Sequence, residues 1–187
     1  LIAIPACVLI PFLMFGQTAF QIGANSWLKV SGTSTLHDWE LTTTQFKGDV
    51  RFALNPERMP ERLHTLDLII SARTLKSDNS KLDKNAYDAL KAEAHPEIKF
   101  KAISTDITTL RSNRQRLRIR GQLTIAGVSK EKTIELICEK DGNDNLILTG
   151  ETKLKMTEFG VRPPTFMLGA MRTGDDVTIT YRLNYRP

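Results

Sequence analysis

His37 and Asp38 stand side by side in STLHDW (Ser34 to Trp39), and an imidazole next to a carboxylate is a familiar unit for moving protons. The spacing argues against that use. Adjacent residues of a strand point to opposite faces, so the two side chains do not meet there, and neither a G-x-S-x-G nor an HExxH motif accompanies them. A metal centre would have to be gathered from His37, His64, His95 and acidic residues scattered along the chain, none at ligand-like spacing. We therefore assign no catalytic residue and no metal ligand. His37 reads as a hydrogen-bonding residue at a strand end or turn, Trp39 as packing in the core, and His95, followed by Pro96, as the exit of a helix. Cys138 follows Ile134 and Leu136 at alternate positions and reads as a small buried apolar residue rather than a reactive thiol.

Chemistry of a second kind, the holding of an apolar ligand, is offered by GVRPPTFMLGAMRTG from Gly160 to Gly174. Its glycines and prolines announce a turn, where Asn, Asp and Ser would be expected, yet Phe166, Met167, Leu168 and Met171 fill it. Two readings stand at this point: the loop faces a ligand cavity, or its side chains plug the end of a core. Arg162 and Arg172 flank it, either as solvated cations or as partners for an anionic or carbonyl oxygen. Nucleic-acid binding is not expected. The net charge of +5 is spread among interleaved acids, and the local cluster Arg111, Arg114, Arg116, Arg118 and Arg120 lacks neighbouring aromatics on which bases could stack.

The elements that would position these residues are strands. With 41% hydrophobic and 25% charged side chains, 187 residues suit one globular domain with its own core. From Trp27 onward the dominant period is two, as in Phe46, Val50, Phe52 and Leu54, in Leu66, Leu68 and Ile70, in Leu117, Ile119, Leu123 and Ile125, and in Val177, Ile179, Tyr181 and Leu183. About eight strands are counted in this way. Short connections such as DGNDN (Asp141 to Asn145) and AGVSK (Ala126 to Lys130) make the neighbours antiparallel and exclude parallel βαβ units. One stretch from Ser77 to Pro96 spaces Leu82, Ala86, Ala89 and Leu90 at helical intervals. A single helix makes no second layer, so it is expected to cover an end or side of a closed sheet.

The first segment, LIAIPACVLIPFLMFGQTAFQIG, carries no charge, and its strongly apolar part runs for about fifteen residues, short of a membrane span. It reads as a signal peptide lacking its basic n-region, with a bilayer anchor as the alternative. Cys7 lies inside the apolar run rather than at a lipoprotein cleavage point, and no clean small-x-small site follows. We expect the leader over residues 1–24, with the mature start anywhere between Gly16 and Asn25, and one domain over 25–187, which leaves Cys138 as the sole cysteine and no intramolecular disulfide.

Five stretches together resemble a family: STLHDW, FKGDVRF (Phe46 to Phe52), HPEIKFKA (His95 to Ala102), GQLTIAGVSKEKTIEL (Gly121 to Leu136) and MTEFGVRPPTFMLGAMRTGDDVTI (Met156 to Ile179). They are similar, in kind and order, to the YceI-like proteins. The resemblance covers nearly all of the chain from Trp27. It implies an all-β fold, an eight-stranded antiparallel lipocalin-like β-barrel with one amphipathic helix, exported to the bacterial periplasm and enclosing an elongated apolar cavity.

In that family the cavity binds polyisoprenoid chains, including quinone tails, and no catalysis is generally assigned. On this basis we expect a non-enzymatic binder, store or carrier of an isoprenoid lipid, with no cofactor apart from a lipid or quinone cargo. The ligand-lining set is Phe52, Leu68, Phe100, Leu123, Phe159, Phe166, Met167, Leu168 and Met171, with Arg162 and Arg172 at the head group. Transient membrane contact and pairing into a homodimer are both compatible with this reading. The alternatives are a structural or partner-binding envelope protein with a filled barrel, and a lipid-processing enzyme in the same cavity.

Overall fold

Short turns and two-residue periodicity leave each strand little choice but to pair with the next one. The computed structural model describes residues 17–166 and 171–187. Its strands are β1 (Gln17–Ile22), β2 (Trp27–Ser34), β3 (Trp39–Thr43), β4 (Asp49–Leu54), β5 (Pro60–Ser71), β6 (Glu97–Arg111), β7 (Arg114–Ile125), β8 (Val128–Lys140), β9 (Leu146–Lys155), β10 (Thr165–Phe166) and β11 (Met171–Arg186). Among the described residues one α-helix, α1 (Ser80–Ala89), interrupts the meander between β5 and β6.

These pieces make a ring of eight antiparallel strands. Neighbours pair in order from β4 to β9, and β9 pairs with β11. β1 and β2 act as one interrupted strand, both antiparallel to β11, with Ile22 opposite Tyr185 and Trp27 opposite Arg182. β3 and β4 follow them in the same way, β4 against β1 and β3 against β2. The β1–β11 pairing closes the ring, so among the described residues no long edge remains to recruit another chain.

Strand β1 falls between Gly16 and Asn25, the range in which the mature domain is expected to begin. Gln17–Ile22 pairs with both β4 and β11, and Phe20 is buried in the core, so the folded domain includes at least these residues. Its alternation was hidden because QTAFQI carries no charge and merges with the apolar run before it. Residues 1–16 of the expected leader lie outside the described residues.

The two ends of the barrel are built differently. At one end Phe20, Val50, Phe52, Met59, Leu117 and Ile119 are each at most 1% exposed, which is a filled core. Phe20 meets Phe52 edge-on with ring centroids 6.3 Å apart. The loop over this end is clamped by Arg58 to Asp144 at 2.7 Å and by Lys140 Nζ, which donates to the Glu57 carbonyl at 2.6 Å. At the other end lie α1, the β2–β3 hairpin and the segment joining β9 to β10. The arginine cluster is a cross-strand ladder: Arg114, Arg118 and Arg120 pair with Glu139, Glu135 and Glu131 on β8. Such exposed pairs contribute little to stability, but they reduce the local positive field.

Candidate functional site

The unfilled end encloses a cavity of about 220 Å³. Strand alternation builds its walls, because inward positions of β9 and β11 fall at even and odd numbers respectively: Leu148 and Leu154 face Leu183 and Val177 across the ladder. Phe100 on β6 and Leu123 on β7 form a cross-strand pair on the opposite wall. The Phe100 ring occupies space that the glycine at 121, two residues from its partner on β7, leaves open, since a Cβ on Gly121 would lie 2.4 Å from it.

The roof is α1. Leu82, Ala86, Ala89 and Leu90 all line the cavity, so the helical spacing seen in the sequence marks the face turned inward. Asn79 caps the helix, its side-chain oxygen accepting from the Lys81 and Leu82 amides at 2.9 and 3.3 Å. Asp83, 6% exposed, accepts from both the amide and the hydroxyl of Ser77 at 2.7 Å and pairs with Lys76 at 3.3 Å. Burial by itself would raise the Asp83 pKa, but the Ser77 and Lys76 partners together hold it below the ordinary value. The Tyr87 hydroxyl donates to the Leu75 carbonyl at 2.8 Å, tying the roof to the segment that follows β5.

The lining is apolar apart from a few groups. Asn85 lies on the roof, while Lys155 and Thr173 lie near strand ends. Thr152, Tyr181 and Tyr185 lie on the adjacent strands β9 and β11. Burial pushes the Tyr181 phenol upward, offset in part by the Thr152 hydroxyl beside it, and Tyr185 is raised further, by burial and then by the charge of Asp49. Neither phenol ionises near neutral pH.

Of the residues expected to line a ligand site, Leu68, Phe100, Leu123 and Phe159 do face this cavity. Phe52 does not; it belongs to the filled end, packed against Phe20. Met167 and Leu168, with the side chains of Phe166 and Met171, lie outside the described residues. The backbone of Phe166 pairs with Met171, so the loop leaves and rejoins the sheet beside the cavity-lining Pro164 and Thr173. Arg162 is exposed next to that segment. Arg172 is exposed too, and its amide donates to the Thr35 hydroxyl at 3.1 Å, which clips the β2–β3 hairpin to β11.

Sequence reasoning missed Ile98, Ile134, Thr152, Ile179 and Tyr181 as cavity residues, although their parity along the strands could have found them. Trp39 also lines the cavity, with Nε1 donating to the Thr33 carbonyl at 3.2 Å. His37 sits in an exposed turn held by Ser34, whose hydroxyl donates to the His37 carbonyl at 2.7 Å and accepts from its amide at 3.2 Å. Among the described residues no cluster of three His, Cys, Asp or Glu could hold a metal ion. Cys138 is fully buried, and its thiol is pushed up to about 12 by burial and then by the neighbouring Glu139 charge.

Comparison with known proteins bears on this geometry. A family model for a YceI-like domain matches residues 18–185. Among solved structures, BcnA of Burkholderia cenocepacia superposes with a TM-score of 0.64 at 19% identity, over 84% of this chain and 95% of that one. A polyisoprenoid binding domain from Saccharophagus degradans, implicated in plant cell wall breakdown, gives 0.66 at 10% identity, over 90% and 97%. The Campylobacter jejuni YCEI protein gives 0.58 at 18% identity, over 78% and 83%. No curated protein matches the chain. At these identities the structures share the fold, while the family match spans almost the whole described domain, and this chain belongs to the YceI-like domain family.

Proposed function

We propose that the protein binds an isoprenoid lipid, a polyisoprenoid or the tail of a quinone, and stores or carries it without chemical turnover. The observation that carries this reading is the cavity of about 220 Å³ between α1 and the barrel wall, walled almost entirely by hydrocarbon. An apolar cavity of that kind stays dry, so it gains by taking an apolar guest. Burying about ten methylenes contributes on the order of 8 kcal/mol, against roughly 4–15 kcal/mol lost on association. A long, flexible hydrocarbon meets that requirement.

The volume also sets the pose. It falls below the roughly 300–1,000 Å³ of pockets that engulf a drug-sized ligand, so a long isoprenoid would bury one stretch and run out past Pro164 and Thr173. The apolar loop residues Phe166, Met167, Leu168 and Met171 would then cover the emerging chain, with Arg162 and Arg172 near any anionic group that stays outside. Leu36, 67% exposed on the hairpin clipped to Arg172, would meet a membrane during transfer. A leader ending before the first strand would export the domain to the periplasm. The description of the Saccharophagus degradans domain as polyisoprenoid binding supports the ligand class.

Native mass spectrometry of the domain beginning at Gln17, purified from a bacterial periplasm without detergent, tests this directly. A stoichiometric excess mass that extracts as an isoprenoid or quinone is the expected result. A clean apo mass after incubation with such lipids would shift the assignment to a partner-binding barrel, and conversion of the added lipid would shift it to an enzyme.

A further inference from the structure

Within this apolar cavity one wall carries a pair of hydroxyls that the protein leaves underused. Five buried side-chain polar atoms among the described residues have no partner at good hydrogen-bond geometry, and one of them is Thr152 Oγ1, which has only the neighbouring Tyr181 phenol near it. Thr152 faces inward on β9, and Ile179 is its register partner on β11. Tyr181, two residues further along the same face of β11, brings its phenol close to Thr152. Apart from the Thr152 hydroxyl beside it, the Tyr181 hydroxyl has a 3.5 Å donation to the Glu135 carbonyl at the outer limit of a hydrogen bond.

The niche is constructed rather than incidental. Gly150 is the register partner of Tyr181, and a Cβ there would lie 2.6 Å from the phenol oxygen and 2.8 Å from the Glu135 carbonyl. The same glycine, opposite Leu136, is where the β8–β9 ladder ends. The fork between those strands therefore holds a hydroxyl pair that faces a dry cavity, an arrangement that is destabilising unless something completes it. The other orphan hydroxyl of the lining, Tyr185, belongs to a fully buried residue four positions further along β11.

We propose that Thr152 and Tyr181 read a neutral oxygen on the cargo, a hydroxyl or a carbonyl, so that the protein favours an oxygenated isoprenoid over the bare hydrocarbon. This rests on the isoprenoid-binding reading and narrows it. Both hydroxyls donate, which suits a carbonyl, and Thr152 also accepts, which suits an alcohol. An anion does not fit the niche. Among the described lining residues Lys155 alone carries a positive charge, and it is held by Asp176 at 2.9 Å near the strand end. A phosphate buried beside Thr152 would lack a counter-charge.

The test uses geranylgeraniol and its hydrocarbon analogue without the hydroxyl, each titrated by competition against a hydrophobic fluorescent dye. Because the two probes differ in their transfer from water, the readout is the alcohol-to-hydrocarbon affinity ratio of each variant relative to wild type. Thr152→Val keeps the branched shape and removes the hydroxyl. We expect the ratio to fall about two- to tenfold in Thr152→Val and in Tyr181→Phe, with hydrocarbon affinity unchanged, and to be restored in Thr152→Ser. A ratio that stays at the wild-type value in both variants overturns the proposal while leaving lipid binding intact, and means that a water completes the niche. Failure of wild type to bind either probe overturns the isoprenoid reading itself.

Discussion

Gly150 shows how a single missing methyl group can shape a binding wall. Tyr181 reaches across β9 only because no side chain stands at 150, and the nearby Glu135 carbonyl is backbone that cannot swing aside. Gly150→Ala should therefore destabilise the protein by about 1–3 kcal/mol, as overpacking of a tight site does. Part of that loss should be recovered in a Tyr181→Phe background, because the phenol oxygen is the nearest of the three atoms the new Cβ strikes, while the ring Cζ and the Glu135 carbonyl remain. Urea midpoints of the two single variants and the double variant decide it. Additive losses would mean that the strain lies in the backbone alone. The fully buried Cys138 makes a contrasting case. With its thiol pushed up to about 12 and no exposure, it should resist alkylation at pH 8 for as long as the barrel stays folded. Prompt labelling without denaturant would show that this wall opens.

The elements differ in how plainly the sequence announces them. Helix α1 was legible because Leu82, Ala86, Ala89 and Leu90 repeat at helical spacing between a polar start and a proline, and the same four residues form the cavity roof. Strand β1 was not, because an uncharged strand next to an uncharged apolar run offers no contrast. Which inward residues pack solidly and which surround space was also illegible. Phe52 and Phe100 sit in equivalent alternating patterns, yet one fills the closed end and the other lines the cavity. That division depends on where the loop clamps and the roof lie, which are contacts between segments far apart in the chain.

At the element scale the roof gives two tests. Asn79→Ala removes the side-chain acceptor of two helix amides and should cost about 1 kcal/mol, read as a lowered urea midpoint and faster amide exchange within Ser80–Ala89. Asp83 gives a pH signature. Its folded pKa lies below its unfolded value, so its contribution is fully present above the ordinary value of 3.8 and is lost as pH falls through the lower, folded one. Wild type should therefore lose more stability than Asp83→Asn between pH 6 and pH 3. Parallel losses in the two proteins would mean that other carboxylates govern acid unfolding.

For the whole molecule, the division into a packed half and a hollow half separates stability from binding. The packed half, with six side chains from Phe20 to Ile119 at most 1% exposed, supplies the cooperative core. The hollow half forgoes dispersion contacts, because atoms facing a void have no partners there. A guest that fills the void should stabilise the fold. At a free concentration one hundred times its dissociation constant, a ligand that binds only the native state adds about 2.7 kcal/mol, which corresponds to roughly 5–10 °C in Tm for a chain of this length. The converse substitution tests the same idea without a ligand. Ala86 lies on the roof facing the cavity, so Ala86→Phe would place a ring where the guest would sit. We expect isoprenoid affinity to fall at least tenfold while the apo Tm holds or rises, since the ring gains the contacts that the void lacks. If Tm drops sharply and binding is unchanged, the cavity under α1 is not where the lipid lies, and the ligand would have to be sought at the loop between β10 and β11.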